Sequence, residues 1–181
     1  LRPWLGLVAA AALAAALAWP LAAPAGHRAA QEAGVEVVSV HDGDTLTVRL
    51  HGRKERVRLL GVDAPEMGDS PKLQRAAARA GRAPRQEAAL GALARDFVRD
   101  LVGPGDRVRL GFEPGGQRRD EHKRLLAWLW LADGRQVNEL LLSEGYARVY
   151  RRCQCRALPR LRGLEAQARG QGRGLWGRGG P

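Results

Sequence analysis

Hydrophobic and polar residues alternate along several short stretches of the first half of the chain, as they do in half-buried β-strands. Residues 35–40 are rich in valine. In residues 45–50 every second residue is leucine or valine, so these apolar side chains lie on one side of the predicted strand. Residues 56–60 resume this alternation after the polar turn residues 51–54. The same pattern predicts later strands over residues 107–112 and 124–132, with a short extended segment at 146–150.

Helical periodicity replaces this alternation in three other places. A helix is predicted over residues 86–102, where large apolar side chains recur three or four residues apart: Leu90, Leu93, Phe97 and Leu101. Shorter helices are predicted over residues 137–144 and 159–169, the second with Pro159 in its first turn. Five short strands with helices after the third and at the end are typical of an α+β fold. We expect an OB-like five-stranded β-barrel with about three α-helices.

The first thirty residues carry the pattern of an export signal. Residues 3–27 contain no formally charged side chain and are mostly apolar. We predict a signal peptide or a membrane anchor over residues 1–30, with cleavage favoured near Ala23-Pro24-Ala25. The alternative is an uncleaved membrane tether through residues 3–25. Either interpretation predicts an extracytoplasmic protein, secreted or membrane-anchored.

The remaining chain has the length of one ordinary domain. We place that domain at residues 31–176, with a disordered tail over 177–181. Within the domain, residues 68–85 contain five basic side chains, and Asp69 is the only acidic one. This segment is predicted to be a mobile basic loop, helical in part around residues 74–80.

The charge balance narrows the class of partner. The chain of 181 residues has 30 Lys and Arg against 19 Asp and Glu, a formal net charge of +11. Such a surface attracts polyanions, and the guanidinium group of arginine binds phosphates through two parallel hydrogen bonds. The 2 cysteines exclude a disulfide framework. Cys153 and Cys155 are too close in sequence to pair with each other readily, so we expect them to pair with another chain or stay reduced.

Acidic and basic residues in apolar surroundings give the first indication of a site. If the turn between the second and third strands centres on residues 53–54, Asp44 faces Asp63 at the far end of the hairpin. Arg58 interrupts an apolar strand, and Asp63 and Glu66 flank Pro65. Burying such groups costs free energy unless a site uses them.

Several motifs, in order and spacing, resemble the staphylococcal nuclease (thermonuclease) family over residues 35–176. They are Asp-Gly-Asp-Thr at 42–45, Arg-Leu-Leu-Gly-Val-Asp-Ala-Pro-Glu at 58–66, Gln-Glu-Ala at 86–88, Gly-Gln-Arg-Arg-Asp at 116–120 leading to Arg124, Asp-Gly-Arg-Gln-Val-Asn-Glu at 133–139, and Leu-Glu-Ala-Gln-Ala at 164–168 through Trp176. The resemblance implies a Ca²⁺-dependent hydrolase of phosphodiester bonds in DNA or RNA. Its products would carry 3′-phosphate ends, its substrate is nucleic acid, and no obligate protein partner is expected.

The resemblance also implies roles for individual residues. Asp44, Asp63 and the carbonyl of Ala64 match the family's Ca²⁺ ligands, with Asp42 in support. Glu66 matches the candidate general base. The two catalytic arginines, which would meet charge on the phosphoryl oxygens, correspond to Arg58 and Arg124.

The chain departs from the family pattern just before Arg124. His122 and Lys123 stand where members often carry Tyr-Gly, so His122 falls where an aromatic side chain contacts the terminal nucleotide. Lys123 takes a position suited to glycine's conformational freedom. Tyr150 offers a face for base stacking or for packing. His122, Lys123 and Tyr150 are therefore the candidate substrate-binding residues.

A different class of function also fits a basic barrel. A non-catalytic OB-type nucleic-acid-binding module, tethered or exported, needs basic grooves and aromatic platforms. Such a module has no use for paired carboxylates, which repel phosphate unless a metal ion intervenes. The presence of the full set favours the enzyme: Asp44, Asp63, Glu66, Arg58 and Arg124.

Overall fold

The structure, a computed structural model, describes residues 31–177, with side chains from residue 34 onward. The predicted signal peptide or tether and the tail residues 178–181 lie outside the described residues. Within residues 31–177, no helix is long and apolar enough to cross a lipid bilayer.

A closed five-stranded β-barrel forms the centre of the domain, and four α-helices surround it. This confirms the predicted OB-like α+β architecture. The strands are β1 Gln31–Val40, β2 Thr45–Leu50, β3 Arg53–Leu59, β4 Val62–Asp63, β5 Arg107–Gly111, β6 Leu125–Trp130 and β7 Arg148–Val149. The helices are α1 Pro71–Ala80, α2 Pro84–Leu101, α3 Val137–Ser143 and α4 Leu158–Gly170, followed by a 3₁₀ turn at Gly174–Trp176.

The barrel closes in the order β1-β2-β3-β6-β5, and β4 pairs separately with β7. Only the β3–β6 pair among the described strands is parallel. The interior is filled by fully buried side chains from all five strands: Val37, Leu46, Val48, Val57, Leu110 and Leu129. Burying each stabilises the fold by about 1.5–3 kcal/mol relative to exposure.

The β2–β3 hairpin turns two residues earlier than predicted. Leu50 pairs with Arg53, so the tip is His51-Gly52, and both tip residues have positive φ, 49° and 77°. Two-residue turns of this kind match the right-handed twist of the strands. The predicted pairing of Asp44 with Asp63 was wrong, because in this register the N–H of Leu59 donates to the Asp44 carbonyl at 2.8 Å.

Residues 68–85 are helical over more of their length than predicted. The helix expected around residues 74–80 is confirmed, and it begins earlier, so that α1 spans Pro71–Ala80. The Oγ of Ser70 caps the helix by accepting the N–H of Leu73 at 3.1 Å. Gly81, with φ of 65°, ends it. Leu73 and Ala77 are buried, and this anchoring accounts for the fourth helix beyond the three expected.

Cys153 and Cys155 form a disulfide with each other, which corrects the expectation that they stay reduced or pair with another chain. The backbone turns tightly here, since the N–H of Cys153 donates to the Tyr150 carbonyl at 3.0 Å. The two Cα atoms are therefore 5.3 Å apart, within the usual range for a disulfide.

Two glycines let α2 lie directly on the polypeptide that follows β4. A Cβ on Gly91 would lie 2.5 Å from the carbonyl oxygen of Glu66 and 2.7 Å from that of Pro65. A Cβ on Gly43 would lie 2.7 Å from the Cβ atoms of both Ala64 and Ala94. The absence of side chains at these points therefore determines where Glu66 and Ala64 sit.

We predict opposite effects on stability for two helical glycine-to-alanine substitutions. Gly91→Ala should lower the free energy of unfolding by about 1–3 kcal/mol, because the new methyl group meets backbone that has no room to move. Gly163→Ala in α4 is the matched control, since nothing lies within 4 Å of its Cβ position. It should raise the free energy of unfolding by up to about 1 kcal/mol through helix propensity. Urea denaturation followed by circular dichroism measures both, and equal effects would contradict the close approach at Gly91.

Candidate active site

A polar cavity of about 150 Å³ opens at the end of the β2–β3 hairpin opposite its tip. Six parts of the chain line it: the turn between β1 and β2, the first residue of β2, strand β3, the segment after β4, the first turn of α1 and the residue before β6. The lining residues are His41, Asp42, Asp44, Thr45, Arg58, Ala64, Pro65, Glu66, Met67, Lys72 and Arg124.

The tight turn before β2 aims the carboxylate of Asp44 into this cavity. Asp42 supports the turn, because its Oδ1 accepts the backbone N–H of Asp44 at 3.0 Å. One oxygen of Asp44 accepts the hydroxyl of Thr45 at 3.1 Å, and the other accepts the N–H of Ala64 at 2.7 Å. Asp44 is only 7% exposed, so these bonds replace water around a buried carboxylate.

Arg58 joins the two acidic side chains that sequence reasoning placed face to face. Its Nη1 forms an ion pair with Oδ2 of Asp44, and its Nη2 donates to Oδ1 of Asp63 at 3.0 Å. The Asp63 side chain remains about half exposed, and Asp63 reaches the cavity through this contact without lining it. A guanidinium, and not the strand register, therefore brings the two carboxylates together.

The electrostatics of this cluster are dominated by burial and by the charge of Arg58. Burial raises the pKa of Asp44, Arg58 opposes this effect and Asp42 adds to it, and together they raise the pKa to about 6. Burial lowers the pKa of Arg58, but Asp44, Asp63 and Asp42 outweigh this effect and raise it above its ordinary value. Arg58 therefore stays charged, and additional positive charge near Asp44 would favour its ionised form.

The parallel pairing of β3 and β6 brings the second arginine to the same cavity. Val57 is the partner of Leu125, so Arg124, which precedes β6, lies beside the strand that carries Arg58. These two arginines are distant in sequence, and only the barrel makes them neighbours.

Asp120 holds Arg124 in place, a role that sequence reasoning missed. Its Oδ1 accepts the N–H groups of His122 and Arg124 at 3.0 and 2.9 Å. Its Oδ2 accepts Nε and Nη2 of Arg124 at 2.8 and 2.7 Å. Burial acts to raise the pKa of Asp120, but the hydrogen bonds from Arg124 outweigh it and lower the pKa. An aspartate that precedes such a tight turn was the available signal.

The turn before β6 also confirms that Lys123 occupies a position suited to glycine. Its φ is 62°, in the left-handed region that side chains other than glycine's rarely adopt. Arg119 stabilises this conformation, because its Nη1 donates a hydrogen bond to the Lys123 carbonyl at 2.6 Å. The same guanidinium forms two hydrogen bonds of 2.9 Å with Glu55 of β3.

Glu66 faces the cavity and forms an ion pair with Lys72 through its Oε1. Lys72 is the second residue of α1, and its side chain is 64% exposed. Sequence reasoning did not find this pair, because it began the helix at residue 74 and left Lys72 in the preceding loop. The other carboxylate oxygen of Glu66 makes no hydrogen bond within residues 31–177, so it remains available to other groups.

None of the three candidate substrate-binding residues lines the cavity. His122, Lys123 and Tyr150 are all exposed. Their assignment to substrate binding stays a prediction.

His41 was missed by sequence reasoning, although it directly precedes Asp42. It lines the cavity, and its Nε2 is 2.7 Å from the Thr47 hydroxyl. Burial and Arg56 lower the pKa of His41, which favours its neutral form.

No group of three or more His, Cys, Asp or Glu side chains in residues 31–177 is arranged to hold a metal ion. The assignment of Asp44, Asp63 and the Ala64 carbonyl as ligands, which uses two carboxylates, remains a prediction.

Comparison with known proteins identifies the family. A family model described as staphylococcal nuclease homologue matches residues 56–178. The chain is 30% identical over 154 residues to the thermonuclease of Staphylococcus hyicus, covering 84% of this chain and 80% of that protein. It is 32% identical over 140 residues to an uncharacterized endonuclease of Escherichia coli O157:H7, covering 77% and 74%.

A third relative is a larger protein. The chain is 37% identical over 108 residues to endonuclease YncB of Bacillus subtilis strain 168, and the match covers 60% of this chain but 44% of that protein. Since the family model spans well over half of this chain and the Staphylococcus relative is matched over most of its length, the chain belongs to the staphylococcal nuclease homologue family.

Proposed function

We propose that the protein is a Ca²⁺-dependent nuclease that hydrolyses phosphodiester bonds of DNA or RNA and leaves 3′-phosphate ends. The observation that carries the proposal is the joint opening of Arg58, Glu66 and Arg124 onto one cavity beside the buried Asp44. The relatives named thermonuclease and endonuclease support nucleic acid as the substrate.

The residues present fit a hard divalent cation. Ca²⁺ prefers carboxylate and carbonyl oxygens, which Asp44, Asp63 and Ala64 provide. The raised pKa of Asp44, caused by burial and then by Asp42 despite Arg58, indicates that this carboxyl favours more positive charge nearby. When bound, Ca²⁺ would polarise a phosphoryl oxygen and make a coordinated water more acidic. Water and the substrate would complete a ligand set that has only two carboxylates.

Glu66 would take the proton of the attacking water through the oxygen that Lys72 leaves unpaired. The water oxygen bonds to phosphorus, the bond from phosphorus to the 5′-oxygen breaks, and that oxygen takes up a proton. The products are a 3′-phosphate and a 5′-hydroxyl. The distances needed for hydrogen bonding in such a step are about 2.6–3.2 Å.

The two arginines would stabilise the charge that grows on the phosphoryl oxygens. Arg58 is paired with Asp44 and Asp63 through Nη1 and Nη2, and a cation on these carboxylates would release it toward the phosphoryl group. Arg124 is held by Asp120, so its guanidinium is fixed before the reaction. Groups fixed in this way before the reaction are the most effective electrostatic catalysts. Nη1 of Arg124 makes no hydrogen bond within residues 31–177 and is free to donate to a phosphoryl oxygen.

The non-catalytic binding module is less consistent with this cavity. Asp42, Asp44 and Glu66 all face it beside Arg58, Lys72 and Arg124, and a module that binds phosphate by charge alone has no use for three carboxylates there. Extracytoplasmic action, by secretion or through a membrane tether, rests on residues 1–30 and stays a prediction.

We expect cleavage of single-stranded DNA by the full chain to require Ca²⁺ and to stop in EGTA. Asp44→Asn and Asp63→Asn should each lower kcat/KM sharply, because each removes a charged ligand. Asp63 is half exposed, so its variant should fold even if the buried Asp44 variant does not. End-group analysis by mass spectrometry shows whether the products carry the proposed 3′-phosphate ends. Cleavage that persists in EGTA, or products with 5′-phosphate ends, would contradict it.

We expect Arg58→Lys and Arg124→Lys each to lower kcat by about 10²–10³, because lysine keeps the charge but loses the bidentate geometry. Arg162→Lys is the control, since Arg162 is exposed on α4 and does not line the cavity. Steady-state kinetics on a labelled oligonucleotide measures the effect, with circular dichroism to confirm folding. Folded variants at both positions with near-normal turnover would remove the arginines from the catalytic assignment.

A further inference from the structure

Helix α1 presents a face of three cations. With about 100° between successive residues of a helix, Lys72, Arg75 and Arg79 fall within about 60° of one another. Leu73 and Ala77, the buried residues of the helix, point to a different side. Lys72, Arg75 and Arg79 are all exposed, and together they define what we call the α1 basic face.

The charge of the α1 basic face is largely uncompensated. Arg75 and Arg79 make no ion pair and no hydrogen bond with any residue in the described part of the chain. The nearest acid in sequence, Asp69, accepts a hydrogen bond from Gln74 Nε2 at 3.1 Å. A helix face with unpaired cations attracts a polyanion.

The face is continuous with the candidate active site. Lys72 lines the cavity and contacts Glu66, while Arg79 lies seven residues further along α1, at about 10 Å. The direction of the helix is set by the Ser70 cap and by burial of Leu73 and Ala77. A negatively charged chain that leaves the cavity along α1 would therefore meet Arg75 and Arg79 next.

We infer that the α1 basic face binds the sugar–phosphate backbone of the nucleic-acid strand whose scissile bond occupies the cavity. The inference rests on the proposed function and deepens it, because it makes a strand of several nucleotides the preferred substrate over a dinucleotide. The face is longer than the spacing of neighbouring phosphates, so it contacts more than one of them. Its contacts are to phosphates and carry no base specificity.

The composition of α1 favours nucleic acid over a lipid surface. Helices that lie on membranes insert large apolar side chains between lipid headgroups. The large hydrophobic residues exposed in residues 34–177 are Leu93 and Tyr150, and neither belongs to α1. A phosphate-binding face without apolar anchors fits a strand that is held by charge alone.

The experiment compares two variants of the full chain that lose the same number of charges. The test variant is Arg75→Gln with Arg79→Gln, which keeps good helix formers in α1. The control is Arg53→Gln with Arg162→Gln, two exposed arginines that do not line the cavity. Fluorescence anisotropy in EGTA gives the Kd for a single strand of about sixteen nucleotides at several salt concentrations. Kinetics in Ca²⁺ give kcat/KM for the same strand and for a dinucleotide.

We expect the test variant to raise the Kd for the strand roughly tenfold at low salt. The slope of log Kd against log salt should fall by about 1.4, since each phosphate contact to a single strand contributes about 0.7. The ratio of kcat/KM for the strand to that for the dinucleotide should fall to a similar extent. The control variant should change these quantities less than twofold.

Other outcomes separate this inference from the proposed function. Unchanged binding and salt slope in the test variant, or equal losses in both variants, overturn the inference whether or not the wild type cleaves. A wild type that fails to cleave, with binding lost only in the test variant, overturns the nuclease and retains the α1 basic face. Loss of binding to phosphatidylserine vesicles, with the strand's Kd unchanged, overturns the inference in favour of a lipid surface.

Discussion

The contact of Arg58 with two carboxylates determines the shape of the site. Arg58 belongs to strand β3 of the barrel, and its side chain contacts Asp44 through one terminal nitrogen and Asp63 through the other. Taking a carboxylate such as Asp44 out of water is costly, and the guanidinium offsets that cost only in this arrangement. The same arrangement orders the next segment, because the N–H of Ala64 donates to Asp44 and leads the chain on to Glu66.

The rest of the site is assembled around this pair by backbone geometry. The parallel pairing of β3 with β6 places Arg124 beside Arg58, and Asp120 holds its guanidinium. Gly91 lets α2 pack directly against the backbone carbonyl groups of Pro65 and Glu66. The helix therefore fixes the position of the segment that carries the Glu66 carboxylate. Arg58, Arg124 and Glu66 each have an ion-pair partner, and such partners restrict the positions of candidate catalytic groups.

Charges of both signs line the cavity. The carboxylates of Asp42, Asp44 and Glu66 face it together with the cations of Arg58, Lys72 and Arg124. The cations of α1 begin at Lys72, which contacts Glu66, and continue along the helix beyond the cavity. In the proposed mechanism, a phosphate that reached Lys72 would compete with Glu66 for it and would free the candidate base.

Local sequence determined much of this protein. Alternation and periodicity predicted the five barrel strands, α2, α3 and α4, because these patterns reflect a single buried face for each element. The motifs selected Asp42, Asp44, Arg58, Ala64, Glu66 and Arg124, which all line one cavity. Tertiary structure decided the rest: the hairpin register, the Cys153–Cys155 disulfide and the Asp120 contact. Each depends on backbone conformation or on packing between distant segments, and residue type alone does not specify either.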